Sequence, residues 1–178
     1  MGRRSQRSPG RPGGLTAYGA TIGFVPEIAT TASGKNFLQA IGVGLPVTKA
    51  VMRQLRFGQV AAMFRRERWD ALRLDELPFR QAALLYDAAV NHGPAQAVKL
   101  SQRGYNRCVA HGVKLAVDGI LGPLTRKALQ TDTDKVVREI IEARRDFYEG
   151  IVAARPDQRV FLNGWLNRAG DLEKLLLA

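Results

Sequence analysis

The chain has 178 residues, 46% of them hydrophobic, with 27 Lys or Arg against 16 Asp or Glu and a formal net charge of +11. That length fits one domain, or a domain with a small appendage, and the apolar content is enough for a real core. The charge favours anionic partners such as nucleic acid, anionic lipid or wall polymers, and the single cysteine, Cys108, excludes an internal disulfide.

Residues 1–14 hold four arginines, two prolines and four glycines and no acid, which predicts a basic flexible N-terminus. This stretch lacks an apolar h-region, so it does not read as a Sec signal, and synthesis in the cytoplasm is expected. Nowhere does an apolar run reach the roughly 18 residues needed to span a membrane. Residues 15–45 are short apolar pieces broken by Gly19, Gly23, Gly34, Gly42 and Gly44. They predict loops, a short strand pair and one poor helix near Asn36–Ile41. From Pro46 onward the pattern is helical. Pro46 suits a first helical position, with Val47, Val51 and Leu55 on one face. Gly58 opens a second helix, with Val60, Ala61, Phe64 and Trp69 inward and Arg65–Arg68 outward. Pro78 starts a third, with a core stripe of Phe79, Ala82, Ala83, Tyr86, Ala89 and Val90, stopped by Gly93-Pro94. A fourth helix runs from Pro94 to about His111. Asp118-Gly119 and Gly122-Pro123 are turn signals, and a short helix follows to Leu129. The longest helix spans about Asp134–Ala154, capped by Thr133 or Asp134 and ended by Pro156. Arg144 interrupts its apolar stripe, and its stem is expected along the core edge with its head in water. A last helix covers Val160–Asn167, with a further turn at Asp171–Leu177. The fold class is mainly α.

Four pieces carry more than periodicity. They are Gly13-Gly14-Leu15-Thr16-Ala17-Tyr18-Gly19-Ala20-Thr21, Leu85-Tyr86-Asp87-Ala88-Ala89-Val90-Asn91-His92-Gly93, Val117-Asp118-Gly119-Ile120-Leu121-Gly122-Pro123-Leu124-Thr125, and Phe161-Leu162-Asn163-Gly164-Trp165-Leu166-Asn167-Arg168. Their order and spacing resemble glycoside hydrolase family 108, the phage endolysin-like N-acetylmuramidases, some of them described as secretion activators. The resemblance implies a lysozyme-like helical domain over 15–95, truncated at its N-terminus, and a small helical peptidoglycan-binding region over 96–178. It also implies action on the β-1,4 glycan strand of peptidoglycan.

Cleaving a glycosidic bond requires an acid to protonate the leaving oxygen and a group to stabilise the oxocarbenium-like centre. In the family the acid lies in a Glu-Gly-Gly-Tyr piece ending a helix, and an Asp-Pro-Gly-Gly-x-Thr turn follows. Here Thr16 matches the hydroxyl, and Gly13, Gly14 and Gly19 match the turn. Arg11 stands where the aspartate should be and Gly2 where the glutamic acid should be, with no acidic residue before Glu27. Neither replacement donates a proton at neutral pH, so little or no muramidase activity is expected of this chain. A shifted reading frame over Gln6–Arg11 permits a family-like Asn-Asp-Pro-x-Asp, so a replaced N-terminus is an alternative. Glu27 is a substitute acid or a plain surface residue.

Tyr18, Asn91 and His92 are groove candidates, though a helix-terminal histidine also suits the dipole. Asp87 is expected to face the core, bonding backbone or Asn91. Asp118 and Thr125 match a turn of peptidoglycan-binding modules, and Asp118 equally bonds its own backbone. Trp165, Asn167 and Arg168 are ligand candidates, the ring for a sugar and the guanidinium for a peptide carboxylate, although a tryptophan at this spacing also suits a core. No metal-ligand spacing and no cofactor motif is present. The expected partner is peptidoglycan, reached at the periplasm or cell wall after lysis or through a holin or other export helper. The alternative is a catalytically dead wall-binding or phage/secretion accessory protein. A specific nucleic-acid role rests on charge alone.

Overall fold

The computed structural model describes residues 16–178, so Gly2, Arg11, Gly13 and Gly14 lie outside the described residues. The chain forms two compact units that part between Glu67 and Arg68, within the 15–95 stretch.

The first unit opens on a hairpin of β1 (Thr16–Ala17) and β2 (Ala20–Thr21), in antiparallel register with Thr16 opposite Thr21. Four helices follow: α1 (Phe24–Ile28), α2 (Ala32–Ala40), α3 (Lys49–Gln54) and α4 (Phe57–Phe64). Threonines start two of them. The Thr31 hydroxyl accepts from the Gly34 N–H at 2.9 Å and the Thr48 hydroxyl from the Val51 N–H at 3.3 Å, satisfying amides that have no helical partner. The core is Val25, Leu38, Met52 and Met63, each fully buried, with Val43 and Val60 beside them.

Sequence periodicity misplaced several boundaries in this unit. The helix expected at Asn36–Ile41 starts four residues earlier, because Thr31 caps it, and α1 precedes it unannounced. Pro46 is not a first helical residue; the Thr48 cap delays α3 to Lys49. The second helix opens at Phe57 rather than Gly58, and Met63 rather than Ala61 fills its core face.

The second unit contains α5 (Phe79–His92), α6 (Pro94–Cys108), α7 (Pro123–Leu129), α8 (Asp134–Ala154) and α9 (Arg159–Leu176). Its centre is α8, which packs against α6, α9 and α5. Leu85, Leu100, Leu129, Ile141 and Tyr148 are buried between them. The α6–α8 approach depends on Gly104: a β-carbon there would sit 2.4 Å from Ile140 Cα, closer than any real contact.

The limits of α7 and α8 match the sequence reading, and the Thr133 hydroxyl caps α8 by accepting from Val136 N–H. The fourth helix stops at Cys108, short of His111. The α5 stripe is rotated from expectation. Ala82 and Ala89 are buried as expected, but Gln81, Leu84, Leu85 and Ala88 are buried with them, whereas Phe79 is exposed and Ala83, Tyr86 and Val90 are half-buried. The last two pieces are one helix: α9 runs through Gly164 and Gly170 without a break.

Candidate functional site

In the first unit the family motif builds the tip of the β1–β2 hairpin. Tyr18 and Gly19 have φ of 49° and 91°, the left-handed pair that matches a two-residue turn to the twist of its strands. Glycine meets this at no steric cost, and Tyr18 is held by the turn on either side. Ala20 anchors the hairpin in the core, and the Thr21 hydroxyl accepts from the Phe24 N–H at 3.1 Å, tying it to α1. Thr16 is exposed, and Tyr18 is 55% exposed with its ring edge-on to Phe57, centroids 5.9 Å apart.

Residues 1–67 carry ten Lys or Arg and two carboxylates, Glu27 and Glu67. Glu27 lies exposed in the first turn of α1, outside any apolar pocket of the kind a general acid uses. Glu67 pairs with Arg66 at 2.8 Å, and Arg66 also donates to Ser33 and covers the Phe37 ring at 4.7 Å.

The second unit brings Asp87 and His92 of α5, Arg144 and Tyr148 of α8, and Trp165 and Arg168 of α9 into one cluster. Asp87 accepts from the Arg168 Nε at 3.0 Å on one oxygen, and its other oxygen forms an ion pair with the Arg144 Nη1 at 2.5 Å. The Arg144 Nε donates to the Tyr148 hydroxyl at 2.6 Å, and that hydroxyl lies 3.0 Å from His92 Nε2. Tyr148 has one proton to give. It accepts from Arg144 and keeps a further acceptor site, so toward His92 Nε2 it donates or accepts according to the imidazole tautomer. Trp165 stacks on Tyr148 with centroids 5.3 Å apart, and His92 meets the Tyr148 and Phe147 rings edge-on.

Several sequence expectations are corrected here. Arg144 is not at the core edge with its head in water. Its side chain is 3% exposed, its Nη2 has no hydrogen-bond partner among the described residues, and Asp87 supplies its counter-charge. Asp87 does not bond Asn91 through its carboxylate; the Asn91 side-chain amide donates to the Asp87 backbone carbonyl at 2.6 Å.

Charges act on this cluster as its geometry demands. Burial pushes the Asp87 carboxyl up, but Arg168 and Arg144 together outweigh it and hold the group below its ordinary value. Burial first, then Arg144, lowers His92 from 6.5 to about 4, the opposite of what a helix C-terminus alone would do.

Of the α9 candidates, Asn167 and Arg168 line an open pocket with Asp87, Gly164 and Asp171, while Trp165 is half-buried in the ring stack. Asn91 is exposed on α5.

Asp118 and Thr125 are joined by a residue that sequence reading did not single out. Gln102 of α6 is 1% exposed. Its amide nitrogen donates to Asp118 Oδ1 at 2.8 Å and Thr125 Oγ1 at 3.1 Å, and its oxygen accepts from the Gly119 N–H at 3.0 Å. Asp118 also accepts from the Ile120 N–H at 2.8 Å, which with Gln102 lowers its pKa. The signal was available: Gln102 stands four residues after the buried Val98, on the core face of an amphipathic helix. Replacing Gln102 by alanine strands the Gly119 amide and costs about 1–3 kcal/mol. Thermal melting checks this, and faster amide exchange in the 109–122 loop is the expected companion.

Among the described residues no group of three His, Cys, Asp or Glu is placed to hold a metal, and no helix is long and apolar enough to cross a membrane.

The mainly helical architecture and two matching family models together define a lysozyme-like, peptidoglycan-acting protein. The family model described as Glycosyl hydrolase 108 matches residues 3–93, and the chain belongs to that family. A second model, described as Predicted Peptidoglycan domain, matches residues 96–170. Among solved structures, one titled "Structure of Brucella abortus SagA" is similar in fold, with a TM-score of 0.75 at 23% identity over 98% of this chain and 86% of that one. None of the curated proteins matches the chain.

Proposed function

We propose that the 178-residue chain holds peptidoglycan and cleaves it little or not at all. The observation that carries this is the state of the carboxylates within the family match. Glu27 and Asp70 are exposed, Glu67 is paired with Arg66, Asp75 accepts from the Trp69 indole, and Glu76 pairs with Arg126 at 3.2 Å. Asp87 is held ionised between two arginines, and an ionised carboxylate is no proton donor. Thr16 and Tyr18 remain as glycan-contact candidates of the first unit, and Asn91 and His92 are separate candidates on α5 of the second. Residues 96–178 serve as the peptidoglycan-binding region, with Asn167 and Arg168 offered to the ligand and Asp118 and Thr125 shaping the loop beside α7. In this reading the chain meets the wall after lysis or with an export helper such as a holin.

The test is paired. The purified chain is expected to sediment with isolated sacculi and to leave the turbidity of chloroform-treated Gram-negative cells unchanged. Clearing of those cells overturns the proposal in favour of an active muramidase, and Glu27→Gln then asks whether Glu27 supplies the acid. Salt-sensitive DNA binding without sacculus binding points instead to a nucleic-acid role.

A further inference from the structure

We propose that Phe57 and Tyr18 together form a saccharide-stacking platform, so that Phe57 is a glycan-contacting residue. This rests on the peptidoglycan reading above and adds to it a residue outside the four motif pieces named from the sequence.

Phe57 is the first residue of α4 and is 68% exposed; Tyr18, at the hairpin tip, is 55% exposed. The two rings meet at 79° with centroids 5.9 Å apart, an edge-to-face pair that fixes both and leaves ring surface open to water. Neither side chain belongs to the buried core of its unit. Each is followed by a glycine, Gly19 and Gly58, where an added β-carbon would meet nothing within 4 Å. The pair therefore stands beside open ground on both segments.

A lone exposed apolar side chain needs no explanation, but two exposed rings packed on one another make a contiguous apolar surface suited to a contact. A pyranose ring suits it, because the C–H-lined face of the sugar is apolar and meets the negative face of an aromatic ring. Two rings are too little for a protein partner, which needs on the order of 800 Å² from each side. Thr16, two residues before Tyr18 on the same hairpin, offers its hydroxyl to a sugar held there.

The probe is peptide-free glycan strands, made by amidase treatment of sacculi, alongside intact sacculi. The full-length chain is expected to bind both. Phe57→Ala and Phe57→Leu are each expected to bind stripped glycan about tenfold more weakly, with Phe57→Trp restoring binding. Leucine keeps the apolar contact with Tyr18 and loses only the aromatic face, so it separates stacking from folding, and its melting temperature should match the wild type. If Phe57→Ala and Phe57→Leu bind stripped glycan as the wild type does, the platform is overturned. It is also overturned if the wild type binds intact sacculi but not stripped glycan, and the peptidoglycan reading then survives. Failure to sediment with intact sacculi overturns both.

Discussion

Replacing Asp87 by alanine is expected to destabilise the second unit by about 3–5 kcal/mol, the range for removing one partner of a buried ion pair. The cause is Arg144 rather than Asp87 itself. Its guanidinium is 3% exposed, cannot shed its charge, and pairs with no other carboxylate among the described residues. With Asp87 gone, that charge stays in the core between α5 and α8. A loss of this size lowers the melting temperature by about 10 °C or more for a unit of this length. Arg168→Ala tests the same carboxylate from its exposed side. Arg168 is 51% exposed and Asp87 keeps Arg144, so this variant should cost no more than about 1 kcal/mol. Combining Asp87→Ala with Arg144→Met removes the stranded charge and should recover most of the loss. Urea unfolding of the four proteins decides it. An Asp87→Ala variant within about 1 kcal/mol of wild type means that the pair does not hold the unit together.

The same pair shows why part of the site was hidden in the sequence. Arg144 interrupts an otherwise apolar stripe on α8, and one helix read alone favours a stem along the core edge with the head in water. Only the packing of α5 against α8 brings Asp87 to it. The α8 helix itself was legible, because Thr133 and Pro156 mark its ends and its period is regular. The α9 helix was read as two pieces. Each glycine costs about 1 kcal/mol in a helix, yet burial of Ala169 and Leu176 against α8 outweighs Gly164 and Gly170. In the first unit a short strand pair was legible among the glycine-broken pieces of 15–45, but its place at Thr16–Thr21 comes from the structure. Phe57 was not, because a ring at a helix start becomes part of a site only when the tertiary fold sets it beside Tyr18.

His92 makes the second large effect, and it depends on pH. Its folded pKa is about 4 against an ordinary 6.5, so between these values the unfolded chain binds a proton that the folded chain refuses. Stability is therefore full above pH 6.5 and falls as the pH drops toward 4. The shift corresponds to about 3 kcal/mol, and about 2 kcal/mol once the partial exposure of the ring is allowed for. The surroundings give the reason: a charged imidazolium would place its ring nitrogen 3.0 Å from a hydroxyl that already accepts from the buried, cationic Arg144. Asp87 acts in a separate window. Its pKa lies below 3.8, so its contribution is present above that value and is lost only at lower pH. Unfolding free energies measured at pH 7.5, 6.0, 5.0 and 4.5 should thus decline for the wild type. They should stay nearly level for His92→Gln, whose amide offers the Tyr148 hydroxyl a donor and an acceptor without titrating. Equal slopes for the two proteins would place the acid sensitivity elsewhere and remove His92 as the proton-refusing group of this core.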